Sequence, residues 1–160
     1  MLLEVKDITV HYYKIAAVRN ISIAVENGKI AALIGSNGAG KTTILRSISG
    51  LIHPTSGEIL FRGQKIEHLP AHKINAMGIA MVPEGRRIFP QMTVMENLLI
   101  GAYLRKDKVN IQKDLEKVVF KHFPRLKERT NLSRDPEWRR TTNAGNGAGA
   151  HVRTRTIAPG

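Results

Sequence analysis

The chain has 160 residues, of which 42% are hydrophobic and 24% charged, and it carries a net charge of +12 with no cysteine. This length suits one domain with an apolar core, and the lack of cysteine excludes disulfides and thiolate metal sites. No apolar run approaches the ~20 residues of a membrane-spanning helix, and the charged residues soon after Met1 argue against a signal peptide. The basic residues are scattered and match no nucleic-acid-binding motif, so we expect a solvated basic surface and no nucleic-acid partner.

Three strands are predicted in the first 34 residues. Residues 2–10 alternate loosely between apolar and polar side chains, and residues 17–25 form a second run of this kind. A turn at residues 11–14 separates them, and Glu26-Asn27-Gly28 is typical of a hairpin connection. The next six residues, 29–34, are mainly Ile, Ala and Leu, which indicates a short buried strand.

The following stretch fits the pattern G-x-x-x-x-G-K-S/T at every position. Gly38 and Gly40 allow a loop whose backbone N–H groups point inward at anionic oxygens, and a helix beginning near Lys41 adds its positive dipole end. Lys41 would reach the β- and γ-phosphates, and the Thr42 hydroxyl would ligate Mg²⁺. The predicted site for a nucleotide and Mg²⁺ consists of Gly35, Ser36, Asn37, Gly38, Ala39, Gly40, Lys41, Thr42 and Thr43.

The rest of the first 130 residues predicts alternating short elements. A helix over residues 43–49 follows the loop, then a strand at 58–61, one or two helical turns at 70–77 and a buried strand at 78–82. Thr93 and Glu96 have the spacing of a capping box at the start of a helix that runs through residue 100. A longer amphipathic helix is predicted over residues 111–123. Its apolar side would hold Leu115, Val118, Val119 and Phe123.

Several of these motifs occur in the order and spacing of one family. They are the phosphate loop, Gly57-Glu58-Ile59, Met92-Thr93-Val94 and Glu96-Asn97-Leu98. The chain resembles the ATP-binding subunit of an ABC (ATP-binding-cassette) transporter over residues 1–130. The stretch at residues 82–90 and Gly101-Ala102-Tyr103 narrow the resemblance to an ATPase subunit of bacterial high-affinity branched-chain amino acid importers.

The resemblance implies an α/β fold of the P-loop NTPase class. Residues 1–130 would form a partial ATP-binding domain, with an antiparallel β subdomain and an incomplete parallel core sheet. By the same resemblance Tyr12 stacks on adenine, an interaction worth about 1–3 kcal/mol, although Tyr13 is an alternative and Tyr12 could be only a strand-edge residue. Glu84 occupies the position of the glutamine that senses Mg²⁺ in most cassettes, and a carboxylate can ligate this metal.

The family pattern stops after Thr130. The expected Leu-Ser-Gly-Gly-Glu signature, the catalytic Glu and the switch His do not follow, so no catalytic residue is assigned and the status as an enzyme stays open. Residues 131–160 form an unrelated tail, in which so few large apolar side chains remain that it should be disordered. Synonymous codons for residues 136–144, read from the second base, permit Leu-Ser-Gly-Gly-Glu-Gln-Gln-Met-Leu. We therefore expect that a frameshift near residues 130–135 produced this tail.

The resemblance implies a function in transport. The chain would be a peripheral ATPase subunit on the cytoplasmic side of the inner membrane, coupling ATP binding and hydrolysis to import of branched-chain amino acids. Its partners would be permease subunits, contacted through the Glu84–Pro90 loop, a second cassette and, indirectly, a periplasmic binding protein. Loss of the signature and the catalytic groups predicts hydrolysis near background. The alternatives are a soluble cassette without a transport role, a P-loop small-molecule kinase and a non-functional fragment.

Overall fold

The computed structural model describes residues 1–85, 87–128 and 152–154. They divide into two compact units, residues 1–82 with 152–154, and residues 83–128. Among these residues no helix combines the length and the apolar character needed to cross a membrane.

The first unit is built on a four-stranded antiparallel sheet. Its strands lie in the order β2-β1-β3-β4, where β1 is Leu3–Tyr12, β2 is Ile15–Val25, β3 is Ser56–Phe61 and β4 is Gln64–Lys65. The strands predicted near residues 2–10, 17–25 and 58–61 are thus confirmed.

The buried positions of β1 change phase halfway along the strand. They are Leu3, Val5, Ile8 and Val10. Because side chains alternate with a period of two, this pattern requires one extra residue, and here β1 advances three residues while β2 advances two. The bulge lies at Asp7, whose φ is 48°. Ser22 holds it, since the Asp7 N–H donates to Ser22 Oγ at 2.9 Å and that hydroxyl donates to Asp7 Oδ1 at 2.8 Å.

The bulge also fixes the residue opposite it on β3. A Cβ on Gly57 would lie 2.5 Å from the Lys6 carbonyl oxygen and 2.6 Å from the Asp7 carbonyl oxygen. Gly57 has a φ of 89°, so both its conformation and its surroundings require glycine. In β2, which pairs with the other edge of β1, a second irregularity lies at Asn20 (φ 49°). There β2 advances three residues while β1 advances two, which compensates for the bulge in β1.

Two helices complete the core of the first unit. Helix α1 (Lys41–Ile48) directs Ile44 and Ile48 into the cluster formed by the sheet, and α2 (Ala71–Ala76) contributes the fully buried Ile74. The strand predicted at 78–82 is β5 (Ile79–Met81), which pairs antiparallel with β6 (Val152–Thr154).

The strand predicted at residues 29–34 does not form. The backbone there has no regular structure, Ile30 is 98% exposed and Ile34 is 94% exposed. A buried parallel strand needs neighbours on its edges and layers on its faces, whereas every strand pair in the described part of the chain is antiparallel and none involves this segment. The segment is apolar, but the described residues do not include the neighbouring strands that would make it part of a sheet.

The second unit is helical. It contains α3 (Val94–Ile100), α4 (Lys108–Asp114), a π-helical turn (Leu115–Val119), α5 (Phe120–His122) and α6 (Pro124–Glu128). The predicted capping box is confirmed, because the Glu96 N–H donates to Thr93 Oγ1 at 3.1 Å and the Thr93 N–H donates to Glu96 Oε2 at 2.7 Å.

The helix predicted over residues 111–123 is interrupted. Leu115 and Phe120 are five residues apart, the spacing of one π-helical turn. Both side chains are buried, with 6% of each exposed. Phe123 was predicted on the apolar side, but this is wrong. The helix has ended there, with a φ of −132°, and the ring is 61% exposed.

Most of the tail lies outside the described residues. This applies to the predicted domain boundary at residue 130, to the frameshift and to the predicted disorder of residues 131–160, with the exception of β6.

Candidate functional site: a phosphate-binding loop

The loop of residues 35–40 leads directly into α1. Gly40 is the N-cap of this helix, with a φ of 89°, and no side chain caps the first turn. The first turn also contains no acidic residue. A helix start without a side-chain cap or a nearby negative charge suits an external anion, because the N–H groups and the positive end of the dipole point outward.

Lys41 turns its side chain back over this loop. Its Nζ donates to the carbonyl oxygens of Gly35 at 2.8 Å and Ser36 at 2.7 Å. These two bonds hold the ammonium group at the mouth of the loop. An anion in the loop would therefore meet a cation that is already in place.

Gly40 allows the loop to pack closely against β2. A Cβ at this position would lie 2.7 Å from Val18 Cγ2 and 2.9 Å from the Ala17 carbonyl oxygen. Gly38 has a similar φ of 87° but nothing within 4 Å of a hypothetical Cβ. Gly38 therefore supplies backbone freedom, whereas Gly40 also supplies space.

A magnesium ion would find few protein ligands here. Thr42, in the first turn of α1, is partly buried beside Lys41. No group of three or more His, Asp or Glu side chains in the described part of the chain could hold a metal. One hydroxyl beside a phosphate loop fits Mg²⁺, which commonly keeps several waters and shares phosphate oxygens with its protein ligand. Glu84, the other predicted ligand, belongs to the second unit.

Tyr12 is anchored to α1 by its hydroxyl. Arg46 Nη1 donates to Tyr12 Oη at 3.4 Å, and Thr43 forms a second side-chain hydrogen bond with the same oxygen. The Thr43 hydrogen bond, together with the hydrogen bond and the positive charge of Arg46, lowers the pKa of Tyr12 below its ordinary value of 10.0. Tyr12 is 37% exposed, whereas Tyr13 is fully exposed in the hairpin turn with a φ of 55°.

Arg46 is a residue of this site that was not predicted from the sequence. Thr43 and Arg46 are three residues apart and so share a face of α1, a spacing visible in the sequence. The approach of β1 to that face depends on the folded sheet and could not be read from the spacing.

In the second unit, Asn97 clamps the loop before α3. Its Oδ1 accepts from the Phe89 N–H at 2.8 Å, and its Nδ2 lies within hydrogen-bonding distance of the carbonyl oxygens of Phe89 (3.1 Å), Met92 (3.3 Å) and Thr93 (2.9 Å). Phe89 is 51% exposed. The clamp therefore holds an aromatic ring at the surface, in the loop that was predicted to face a membrane subunit. Arg86 of this loop lies outside the described residues.

Comparison with known proteins identifies the family of the chain. The family model described as ABC transporter matches residues 18–137. The chain is 42% identical over 128 residues to the high-affinity branched-chain amino acid transport ATP-binding protein BraG of Pseudomonas aeruginosa, which covers 80% of this chain and 54% of BraG. It is 39% identical over 102 residues to the protein of the same description, LivG, of Escherichia coli, covering 64% of this chain and 40% of LivG. The chain thus spans about half the length of BraG and less of LivG.

Solved structures show the same fold. An ATP-binding subunit of an ABC transporter matches with a TM-score of 0.71 at 29% identity, covering 86% of this chain and 55% of that one. A nucleotide-free ATP-binding cassette from an ABC transporter matches with a TM-score of 0.67 at 22% identity, covering 82% and 57% respectively. The predicted fold class is thereby confirmed, although none of the strand pairs in the described residues belongs to the expected parallel sheet. The phosphate-loop geometry and the family match over residues 18–137 show that the chain belongs to the ABC transporter family, in which it is homologous to the ATP-binding subunits of branched-chain amino acid importers.

Proposed function

We propose that the chain binds Mg-ATP as the ATP-binding subunit of a branched-chain amino acid importer. The observation that supports this most directly is Lys41, whose ammonium group is held over the loop by the Gly35 and Ser36 carbonyl oxygens. The homologues BraG and LivG carry the description of branched-chain amino acid transport ATP-binding proteins.

Each part of the site has a distinct task in this proposal. The loop N–H groups and the start of α1 receive the phosphates, and Lys41 exchanges its carbonyl partners for phosphate oxygens. Thr42 would hold Mg²⁺, which neutralises phosphate charge when bound. Tyr12 would stack on the adenine.

Hydrolysis is a separate matter from binding. Phosphoryl transfer depends on positioned charges and an oriented water, and the first turn of α1 contains no acidic residue that could orient such a water. We propose that this chain alone binds nucleotide but turns it over near background. A turnover rate typical of intact cassettes, measured on the purified chain, would contradict this.

The proposed partners follow from the family. A second cassette would bind to this one and enclose the nucleotide between the two subunits. Permease subunits would contact the Glu84–Pro90 loop, where Phe89 is exposed. The chain would then be peripheral on the cytoplasmic side of the inner membrane, with a periplasmic binding protein delivering the amino acid on the other side.

Equilibrium dialysis with Mg-ATP tests the nucleotide site. We expect uptake by the folded chain, and we expect Lys41→Ala to weaken it about tenfold or more, because a charge-assisted contact to phosphate is lost. Lys29→Ala is the matched control, since it removes an exposed lysine near the loop that makes no predicted phosphate contact. Equal uptake by both variants, or no uptake by the unaltered chain, would refute the proposal.

Permease binding tests the substrate class. The chain is also 36% identical over 104 residues to the ribose import ATP-binding protein RbsA of Rhodococcus jostii. Vesicles that contain the permeases of a branched-chain amino acid importer should retain the chain, whereas vesicles with ribose importer permeases should not. Phe89→Ser should reduce retention, and the opposite preference would reassign the substrate.

A further inference from the structure

We propose that Arg46 is a positioning residue for nucleotide recognition, which together with Thr43 fixes the orientation of the Tyr12 ring through its hydroxyl. Helix α1 would then position two parts of the nucleotide: the phosphates through its first turn and the base through the tyrosine that its second turn holds. This inference rests on the proposed function, because it assumes that Tyr12 stacks on the base.

Tyr12 lies at the end of a strand, beside the hairpin turn. It is the last residue of β1, it pairs with Ile15, and the next residue is the fully exposed Tyr13 of the hairpin turn. An aromatic side chain at the end of a strand and 37% exposed would rotate among several rotamers if its ring were held only by packing.

The hydroxyl contacts remove that freedom. Arg46 Nη1 lies 3.4 Å from Tyr12 Oη, and Thr43, itself 7% exposed, bonds to the same atom. Because Thr43 is buried in the first turn of α1, it is a rigid attachment point, whereas Arg46 closes over the oxygen from the next turn.

The two anchors also connect the base to the phosphates. Lys41 and Thr42 lie in the turn of α1 that includes Thr43. The distance between the stacking ring and the phosphate loop is therefore set by one short helix rather than by a flexible hairpin. Such an arrangement would favour a nucleotide, in which base and phosphates are joined at a fixed span, over free polyphosphate.

The decisive experiment compares two ligands, Mg-ATP and Mg-tripolyphosphate, by equilibrium dialysis. Removing the anchor should affect only the ligand that has a base. We expect Arg46→Leu and Tyr12→Phe each to weaken Mg-ATP binding by about threefold to tenfold, the usual range for one hydrogen bond, and to leave Mg-tripolyphosphate binding unchanged. The double variant should lose no more than Tyr12→Phe alone, because removing the hydroxyl already removes the contact with Arg46.

Controls separate positioning from a general role. Arg46→Lys keeps a donor of similar reach and should restore part of the Mg-ATP affinity. Arg19→Leu removes an exposed arginine of β2 and should alter neither ligand. Absorbance titration of the three tyrosines gives a readout without nucleotide. In Arg46→Leu the pKa of the Tyr12 phenol should rise toward its ordinary value, because the hydrogen bond and the positive charge of Arg46 are lost.

Each other result overturns a defined statement. Equal weakening of both ligands in Arg46→Leu would show that Arg46 acts on the phosphates or on the fold, and an unchanged Mg-ATP affinity would show that the anchor has no role in binding. If the unaltered chain binds both ligands equally, Tyr12 does not hold a base and this inference is wrong, while phosphate binding stands. If it binds neither, the proposed function fails, and this inference fails with it.

Discussion

At the scale of single residues, Gly40 and Gly38 differ in their surroundings although they share a backbone conformation. Their φ values are 89° and 87°, but only Gly40 packs against Val18 and the Ala17 carbonyl group. We expect Gly40→Ala to lower the free energy of unfolding by about 2–4 kcal/mol, because strain from positive φ is joined by a clash. Gly38→Ala, the matched control, should cost about 1 kcal/mol. Urea unfolding measures both, and equal losses would show that the contact with β2 is unimportant.

The residues of the loop were predictable because the motif encodes backbone behaviour directly. Glycines at fixed spacing, a lysine and a hydroxyl specify an anion site whatever surrounds them. The roles of Arg46 and Asn97 were not predicted, although Asn97 belongs to a family motif, because these roles depend on which polar atoms folding brings within reach. The residue type of a side chain with several hydrogen-bond donors does not show which atoms these donors will contact in the folded chain.

At the scale of elements, the β1 bulge depends on one glycine of β3. Gly57→Ala would place a Cβ against two carbonyl oxygens, and backbone atoms cannot move aside as a side chain can. We expect a loss of about 3 kcal/mol or more in the free energy of unfolding. Gly63→Ala, at a φ of 78° with nothing within 4 Å, should cost about 1 kcal/mol. Thermal or urea unfolding of the two variants checks the difference, and a smaller loss for Gly57→Ala would contradict the bulge geometry.

The capping box of α3 gives a prediction about pH. The Thr93 N–H and hydroxyl donate to Glu96 and lower the pKa of its carboxyl group below the ordinary value of 4.5. A depressed pKa means that the stabilisation is present above the ordinary value and is lost as pH falls through the folded-state pKa. Helix α3 should therefore weaken on acidification below about pH 4.5.

Variants of Thr93 test this dependence. Thr93→Ala should cost about 1 kcal/mol at neutral pH and should reduce the loss on acidification, because the cap is already gone. Thr93→Ser keeps the hydroxyl and should behave like the unaltered chain. Urea unfolding followed at neutral and acidic pH would measure both effects. The same acid dependence in all three proteins would exclude the capping box as its source.

At the scale of the whole molecule, apolar residues fall into two very different environments. Ile59 is fully buried in β3, whereas Ile30 is 98% exposed in the segment that was predicted to be a strand. We expect Ile59→Ala to lower the free energy of unfolding by about 2–5 kcal/mol and Ile30→Ala to change it by less than about 0.5 kcal/mol. Comparable losses in urea unfolding would mean that residues 29–34 are buried after all.

This contrast also explains how far the sequence could predict the fold. The first two strands, the capping box and α1 were predicted because local alternation, cap chemistry and helical spacing determine them. Residues 29–34 have equally clear local character, but a buried strand is defined by neighbours that are distant in sequence, and the described part of the chain supplies none. The π-helical turn was missed for a related reason, since only packing distinguishes it from a continuous helix.

Helix α1 connects the phosphate loop to the apolar cluster, because it begins directly after Gly40 and contributes Ile44 and Ile48 to the cluster. The sheet buries Ile44 and Ile48, whereas the backbone N–H groups at the N-terminus of the helix are available to bind an anion. An anion bound in the loop would therefore stabilise the first unit. Its melting temperature would rise with the logarithm of the ligand concentration. The melting temperature and the fraction of chains with a bound anion would then rise together, so a thermal unfolding curve would report anion binding in the loop.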